Sequence, residues 1–359
     1  MAQYPDTSVS IWKKLREGAL WPQLLGFTLL LLILICVAAG MGYVQVSAAG
    51  VIKILTAALT NNADLVSRID PMVRAVVLDV RLPRILTASA VGATLAVSGA
   101  VYQGILLNPL ADPYTLGVSA GAAFGASIAL LLNVSLLGGY SVPVFAFAGA
   151  TATLLLVMYL AASAGGFSSN NLILSGIIMA AILSAGISFL KYMADERVAV
   201  LVFWLMGSLA SKTWADVGLT LSVAGLGTAI CLVFARDLNL ISLGFRSAES
   251  LGVDARRLSP LLLVCASFMA AVCVSVTGII GFVGLLVPHL VRSITGPDNT
   301  RLIPLSMLAG AVLLLAADTI TRALLPSELP IGVLTALIGG PFFCYVFRRR
   351  QMGAAGHGF

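Results

Sequence analysis

The sequence predicts an all-α, polytopic membrane protein with about ten transmembrane helices. Of its 359 residues, 59% are hydrophobic and only 10% are charged, and the mean hydropathy is +1.03. A soluble domain of this length needs a much larger share of charged residues on its surface. The apolar residues also form continuous runs, whereas a transmembrane β-barrel shows alternating segments of about ten residues. We therefore expect a bundle of membrane-spanning helices.

Ten apolar runs approach the roughly 20 residues that a helix needs to cross a bilayer. The predicted spans are 24–44, 85–107, 114–132, 142–162, 172–190, 217–235, 259–276, 281–294, 302–319 and 330–347. Gly278 follows the seventh run, and Gly281 and Gly284 begin the eighth, which marks a break between two helices. Residues 198–210 are apolar but too short to cross, so we interpret them as a re-entrant or interfacial helix. Residues 45–84 form the longest predicted non-spanning stretch.

A polar turn from Asn108 to Pro113 separates the second and third spans. Its two prolines lack the N–H that a helix interior needs, and each disfavours the helical conformation in the preceding residue. Three glycines follow at a four-residue spacing, at positions 117, 121 and 125. This spacing gives a flat helix face that lets another backbone approach closely. We expect the third span to pack tightly inside the bundle.

The distribution of positive charge predicts that both termini lie in the cytoplasm. With this orientation, 12 of the 21 lysines and arginines fall in cytoplasmic segments and four fall in short external loops. The other five lie in 45–84, and long loops count less in the positive-inside rule. The net charge of +6 is therefore explained by membrane orientation rather than by nucleic-acid binding. The chain divides into a cytoplasmic N-terminal segment (1–23), a transmembrane domain (24–350) and a cytoplasmic tail (351–359).

Several charged residues near the spans each allow two interpretations. Arg81, Arg84 and Arg322 lie at predicted external mouths of spans, where they either extend to the interface or bind an acidic patch on an external protein. Asp318 is the one acid placed inside a span, and it either has a functional role or pairs with Arg322, four residues on. The segment 238–258 is the longest and most charged cytoplasmic loop. It is either an ordinary solvated loop or a lever that a soluble partner grips.

The sequence contains no pattern typical of catalysis or of a bound cofactor. The five cysteines all lie in apolar runs without a CxxC pair, and only two histidines are present. There is no GxxxxGK[ST] phosphate-binding loop, no pair of carboxylates and no metal-ligand spacing. We expect a protein that is not an enzyme and that holds no metal or cofactor of its own.

Seven stretches together carry a resemblance to a known family. They are RLPR (81–84), SGAVYQG (98–104), NPLADPYTLGVSAGAAFG (108–125), FWLMGSL (203–209), LNLISLG with SLGVDARRL (238–258), GIIGFVGLLVPHLVR (278–292) and ELPIGVLTALIGGPFF (328–343). This set resembles the FecCD-type permeases, the membrane subunits of binding-protein-dependent ABC importers for iron–siderophores, haem and cobalamin. The resemblance covers residues 24–350, and it identifies the family rather than the cargo.

The resemblance implies a permease that works as a dimer, with a homodimer as the simpler form, in the inner membrane of a bacterial or archaeal cell. It implies two cytoplasmic ATPase subunits, which bind ATP and magnesium, and an external substrate-binding protein. By resemblance, Asn108, Leu110, Ser169 and Asn170 form the cytoplasmic gate. The residues that resemble the ATPase-coupling helix are Ala248, Glu249, Ser250, Leu251, Gly252, Val253 and Arg256. Arg81, Arg84 and Arg322 resemble the arginines that meet glutamates of the substrate-binding protein.

The expected function is import of a bulky iron chelate, a siderophore complex or haem, by alternating access that ATP hydrolysis in partner subunits drives. Cobalamin import by the same type of permease is the alternative cargo. An ion-coupled secondary transporter would need ionisable residues at the membrane midplane, and Asp318 alone gives it thin support. A membrane receptor or scaffold without transport is the alternative from another class. Co-purification of an ATPase and uptake into vesicles would separate these functions.

Overall fold

The computed structural model describes residues 20–42, 44–60, 69–164, 167–323 and 328–355. Residues 1–19, most of the predicted N-terminal segment, and residues 356–359 of the tail lie outside the described residues. The described chain contains helices and turns but no β-strand. Its helices are α1 (Leu20–Gly40), α2 (Ala48–Thr60), α3 (Pro71–Ile105), α4 (Val118–Leu131), α5 (Ser141–Ser163), α6 (Ser169–Met193), α7 (Val198–Leu205), α8 (Trp214–Val233), α9 (Ala235–Ile241), α10 (Phe245–Ser250), α11 (Ala255–Thr277), α12 (Val283–Thr295), α13 (Asn299–Ala323) and α14 (Ile331–Ala355).

Ten of these helices coincide with the ten predicted spans, so the predicted fold class is confirmed. Seven of them, α1, α3, α5, α6, α8, α11 and α13, are long and apolar enough to cross a membrane. The apolar parts of α4, α12 and α14 are shorter, between 10 and 17 residues. α7 ends at Leu205, so the predicted short helix occupies only the first part of 198–210.

α3 lies at the centre of the bundle because small residues let neighbouring helices approach its backbone. A Cβ atom added to Gly99 would lie 1.8 Å from the carbonyl oxygen of Gly284 in α12, and one added to Gly92 would lie 2.2 Å from that of Gly310 in α13. Only glycine fits these positions without moving a helix. The contacts pack α12 and α13 directly against α3, whose spanning window is 94% buried.

The glycine face predicted after the polar turn packs as expected. A Cβ atom at Gly121 would meet the Gly149 carbonyl oxygen of α5 at 2.5 Å, and one at Gly125 would meet that of Phe145 at 2.1 Å. The predicted break in 259–294 is also present. α11 ends at Thr277, Gly278 follows with φ +72°, and α12 begins at Val283.

The stretch 45–84 differs from the prediction, because much of it is helical. It contains α2, and α3 begins at Pro71 rather than at residue 85. The signal that we missed is a helix start, in which the Asp70 carboxylate accepts a hydrogen bond from Met72 N at 2.8 Å and Pro71 occupies the first turn. The segment Val76–Arg81 of α3 is π-helical, and Leu82 N donates to Val77 O, five residues back.

The bundle has two ends that differ in their charged residues. We call the end with Arg81, Arg84 and Arg322 the arginine end, and the end with the segment 238–258 the loop end. The polar turn 106–117 and the start of α6 also lie at the loop end, since Ser169 Oγ is 3.5 Å from Ile105 O at the end of α3.

Candidate functional site

The segment 238–258 is a folded unit of two short helices rather than a plain loop. α9 and α10 are separated by Gly244, with φ +106°, and α10 is followed by Gly252, with φ +89°. Side chains of Ile241, Ala248 and Ala255 are buried together in a small apolar cluster that is separate from the main core. This cluster holds α9, α10 and the first turn of α11 together, so the segment has a defined shape.

The outer surface of this segment carries both apolar and charged side chains that are exposed. Leu251 is 59% exposed, and Leu243 beside it is also exposed. Arg256 and Glu249 form an ion pair at 3.1 Å, and Arg257 and Asp254 form another at 3.1 Å, with both arginines largely exposed. Exposed ion pairs of this kind contribute little to stability. The surface is therefore free to contact another protein without disturbing the bundle.

A partly buried hydrogen-bond cluster connects α9 to the start of α13. Asn239 Oδ1 accepts hydrogen bonds from Asn299 N at 2.7 Å and from Asn299 Nδ2 at 2.8 Å, and Asn239 Nδ2 donates to Asp298 Oδ1 at 2.7 Å. Asp298 also accepts from Thr300 N and Thr300 Oγ1. Partial burial alone would raise the pKa of Asp298, but the hydrogen bonds from Asn239 and Thr300 outweigh it and lower the pKa. The carboxylate thus stays charged at the N-terminus of α13, where a negative charge is favourable.

The predicted gate turn is held by its own polar side chains. Asn108 Oδ1 accepts a hydrogen bond from Leu110 N at 2.9 Å, and Asn108 O accepts one from Ala111 N at 3.0 Å. Asp112 then caps a short 3₁₀-helix through Tyr114 N and Thr115 N. Burial raises the pKa of Asp112, although hydrogen bonds from Thr115 and Tyr114 oppose the shift. The turn is a preformed structure with Leu110 exposed at its tip.

The structure brings part of the predicted gate together. Ser169 lies beside the end of α3, whereas Asn170 is exposed one residue further on. Asn108 lines a cavity of about 210 Å³ with Gln103, Arg292 and Asn299. Gln103 accepts a hydrogen bond from Arg292 Nη1 at 2.8 Å and donates to Leu285 O at 3.1 Å. Sequence reasoning missed Arg292 because its partner lies 189 residues away in the chain.

At the arginine end, two arginines bind the C-terminus of α1. Arg81 Nη1 donates to Ala39 O at 2.8 Å, and its side chain also bonds to Val44 O. Arg322 donates to Ala38 O at 2.6 Å and to Met41 O at 2.7 Å. Cations are favourable at the C-terminus of a helix, where carbonyl groups lack partners. Arg81 is only 5% exposed, so in this structure it fastens α1 to α3.

Arg84 forms the main ion pair of the arginine end and corrects a prediction. Its guanidinium contacts Asp318 at 2.9 to 3.1 Å through three hydrogen bonds, and Nη1 reaches Glu328 at 3.1 Å. Of the two interpretations that the sequence allows for Asp318, the pair with Arg322 is wrong, because Arg322 turns toward α1 and Asp318 forms its ion pair with Arg84. Asp318 is 1% exposed, so the pair is buried within the bundle.

Among the described residues, no group of three or more His, Cys, Asp or Glu side chains lies close enough to hold a metal ion. The candidate site is thus a pair of helix ends, one able to contact a soluble protein and one locked by buried arginines, joined by a tightly packed helical bundle. This arrangement is that of a polytopic α-helical membrane protein.

The chain belongs to the FecCD transport family, whose family model matches residues 30–349. It is 45% identical over 276 residues to the cobalamin import system permease protein BtuC of Halobacterium salinarum, covering 77% of this chain and 74% of that protein. It is 37% identical over 347 residues to the hemin transport system permease protein HmuU of Yersinia pestis, covering 95% and 100%. A solved structure described as an inward-facing metal-chelate type ABC transporter aligns with TM-score 0.79 and 37% identity, covering 91% of this chain and 98% of that one.

These relationships confirm the family resemblance that the sequence motifs carry. The chain is a transmembrane permease subunit of an ABC importer, a class of transporter that works with ATPase and substrate-binding partners. The permease itself is a polytopic protein of the membrane.

Proposed function

We propose that this permease imports a bulky metal chelate, an iron–siderophore complex or haem, across the inner membrane. The observation that carries the proposal is the similarity along nearly the whole chain to permeases named for hemin and metal-chelate transport. Cobalamin is the alternative cargo, because the Halobacterium relative is named for it. All three cargoes are large, so the path needs width more than specific contacts, and the binding protein supplies most of the selectivity.

The cargo path in this proposal runs between two copies of the permease. An apolar cavity of about 560 Å³ opens between α7, the break after α11 and the first turns of α14, lined among others by Met206, Ile279 and Val333. The long face of α6 is also apolar and exposed. Its exposed side chains are Leu174, Ile177, Ile178, Ile182 and Phe189. In this proposal a second copy of the permease covers the cavity and encloses the path, whereas the apolar face of α6 is equally suited to contact lipid.

The loop end is the cytoplasmic end in this proposal, with both termini on that side. The ATPase contacts α10 and the residues after it, from Ala248 to Val253 together with Arg256. Their exposed polar groups and the exposed Leu251 suit a protein–protein contact with a polar rim and an apolar anchor. ATP and magnesium bind to the partner ATPase, and this chain needs no cofactor.

The cytoplasmic gate in this proposal combines the turn at Asn108 and Leu110 with the start of α6 at Ser169 and Asn170. The contact between Ser169 and Ile105 supports it, because the two elements already lie side by side. Alternating access then needs these elements to separate when the ATPase moves the coupling segment, which we define as 238–258.

The arginine end faces the substrate-binding protein in this proposal. Arg84 is the best placed of the three arginines, since Nη1 already binds the exposed Glu328, for which an acidic side chain of the partner could substitute. Arg81 and Arg322 would have to release carbonyl groups of α1 to make the same contact. The pairing of Asp318 with Arg84 also weakens the ion-coupled alternative, because a neutralised carboxylate is a poor site for a coupling ion.

The test is reconstitution of the permease with its cognate ATPase and substrate-binding protein in proteoliposomes. We expect the wild type to retain the ATPase during purification and to take up a ferric siderophore or haemin with ATP. The double variant Glu249→Arg, Gly252→Trp should lose the ATPase, whereas the exposed charge reversal Arg348→Glu outside the coupling segment should keep it. Uptake of cobalamin alone would show that the proposed cargo is wrong but that the chain is still an importer permease. Uptake of a small oxyanion such as molybdate, or an ATPase that tolerates the double variant, would contradict the proposal.

A further inference from the structure

Asn239 in α9 bonds the coupling segment to the start of α13, and Ser242 makes a longer hydrogen bond to Gly104 O of α3, at 3.4 Å. The side chain of Asn239 makes three hydrogen bonds to the first residues of α13, at 2.7 to 2.8 Å. Asn299 is 2% exposed, so breaking these bonds would leave polar groups without water to replace them. A displacement of α9 must therefore move the start of α13 or break the hydrogen bonds that the buried Asn299 makes with Asn239.

α9 in turn moves with the surface that the ATPase contacts. Ile241 of α9 packs with Ala248 of α10 and Ala255 of α11 in the small apolar cluster. Backbone hydrogen bonds also connect the two short helices, since Gly244 N donates to Ile241 O at 2.9 Å and Ala248 N donates to Gly244 O at 3.0 Å. A force applied to α10 thus reaches Asn239 through packed and hydrogen-bonded neighbours.

α13 is suited to carry such a movement across the membrane. It has 25 residues and spans about 37 Å at 1.5 Å per residue. In its middle, Gly310 lies directly on Gly92 of α3, and a Cβ atom on either glycine would lie within 2.3 Å of the other's carbonyl oxygen. The two helices therefore have no space between them at this point in which α13 could bend toward α3. Pro304 interrupts the hydrogen-bond ladder near the start of α13, so the packed turns after it carry the movement.

The far end of α13 is fixed as firmly as its start. Asp318 is bound to Arg84 of α3, and Arg322 donates to Ala38 O and Met41 O of α1. All three helices of the arginine end thus meet through side chains of α13. α3 also joins the two ends, since it carries Arg84 and its Gly104 O accepts a hydrogen bond from Ser242 Oγ of the coupling segment at 3.4 Å. α13 has the shorter side-chain hydrogen bonds to that segment, at 2.7 to 2.8 Å.

We propose that α13 is a strut that carries displacement of the coupling segment to the arginine end, and that Asn239 is the positioning residue that fastens the segment to the strut. This inference rests on the proposed function for its role in transport. Asn239 contacts neither cargo nor nucleotide in this mechanism. It acts by making α13 follow α9, so that ATPase movement reaches the contacts of Arg84 and Arg322.

The first test is a double-mutant cycle on the reconstituted complex. Asn239→Leu removes the three hydrogen bonds at similar volume, and Asp318→Asn alters the opposite end of the strut while keeping a hydrogen-bond acceptor. The readout is the ratio of ATPase activity with and without cargo-loaded binding protein. We expect each variant to lower this ratio by about tenfold, or to one if the wild-type ratio is smaller than that. A tenfold change is within the usual range of coupling between distant sites. The double variant should lower it no further.

Additive effects in this cycle would overturn the proposal, because sites this far apart without a shared element normally add. The matched control is Ser293→Ala in α12, whose hydroxyl donates to Leu290 O of its own helix at 2.7 Å. Ser293 lies two residues before the end of α12, close in sequence to the turn that precedes α13. The effects of Ser293→Ala and Asp318→Asn should be additive. If Asp318→Asn does not fold, Arg322→Gln replaces it at the same end.

The second test uses the permease alone and separates the strut from the proposed function. Asn239→Leu should increase amide hydrogen exchange at residues 38–42 and 318–323, at the arginine end, whereas Ser293→Ala should not. Increased exchange confined to the loop end would contradict the strut role of α13, even if the complex transports cargo. If exchange increases at the arginine end but the complex shows no ATPase response, the strut role of α13 would stand and the proposed function would be rejected.

Discussion

The two ends of the bundle carry charged residues in opposite ways. At the arginine end the ionic groups are buried and bind other helices, as Arg81 does with α1 and Arg84 does with Asp318. At the loop end the two ion pairs are exposed and join close neighbours in the chain, Arg256 with Glu249 and Arg257 with Asp254. The side chain of Arg84 is 11% exposed and that of Arg257 is 90% exposed.

This difference separates residues that hold the bundle from residues that are available to a partner. Removing one member of a buried ion pair leaves an unpaired charge in a region of low dielectric constant, which is strongly destabilising. Removing one member of an exposed pair changes stability little, because water solvates the remaining charge. Variants at the arginine end should therefore affect folding, and variants at the loop end should affect partner binding.

The largest expected effect is that of Arg84→Leu. It leaves Asp318 buried without its partner, and we expect the free energy of unfolding to fall by about 3–5 kcal/mol. The measurement is denaturant unfolding of the permease in detergent or nanodiscs. The matched control at the loop end is Arg257→Leu, for which we expect a change below about 1 kcal/mol.

A combined variant sharpens this test. Arg84→Leu with Asp318→Leu removes both charges, and it should recover much of the lost stability because no unpaired ion remains in the bundle. Equal destabilisation by Arg84→Leu and Arg257→Leu would show that the arginine end is not held by its buried charges. The distinction between the two ends would then fail.

A smaller and local effect is expected for Gly252→Ala at the loop end. Gly252 has φ +89° and open space around its α-carbon, so the cost is backbone strain of about 1–2 kcal/mol rather than a clash. We expect faster amide hydrogen exchange in 244–254 by about tenfold, with the spanning helices unchanged. Gly225→Ala in α8 also enters open space, but its helical backbone accepts alanine, so it should be neutral or slightly stabilising. Faster exchange throughout the bundle would contradict a local role for the segment.

The comparison of the two ends also indicates what the sequence could predict. Apolar run length, the proline turn and the glycines at 278 and 281 were sufficient for ten helices and for the break between α11 and α12, because these signals are local. The helical start at Asp70 and Pro71 was equally local, but the charges of the 45–84 stretch obscured it. The pair of Arg84 and Asp318 could not be predicted, since the residues are 234 positions apart and meet only when α13 packs on α3. The same holds for the hydrogen bonds between Asn239 and Asn299. The coupling role of α10 rests on the resemblance to other permeases and remains a prediction.

The smallest predicted effect concerns Lys212, which lies between α7 and α8 near the arginine end. Its amine donates to Val276 O at 2.6 Å. Burial lowers its pKa from the ordinary value of 10.5, Asp216 opposes the shift, and Arg84 adds to it. The unfolded chain therefore binds a proton at Lys212 more readily than the folded chain does. For such a group the stability contribution is lowest below the folded pKa, and it rises as the pH increases from there to about 10.5.

We therefore expect wild-type stability to increase, relative to that of Lys212→Met, when unfolding is measured at rising pH in the alkaline range up to 10.5. Other titrating groups contribute equally to both proteins, so the difference between them isolates Lys212. Lys53→Met in α2, which removes an exposed lysine, is the control for the loss of one positive charge. A Lys212→Met difference that is flat, or that moves in the wild type's disfavour as the pH rises, would mean that this amine is solvated like the charges of the loop end. In that case only the arginines of the arginine end would be buried charges, and the contrast between the two ends would not extend to Lys212.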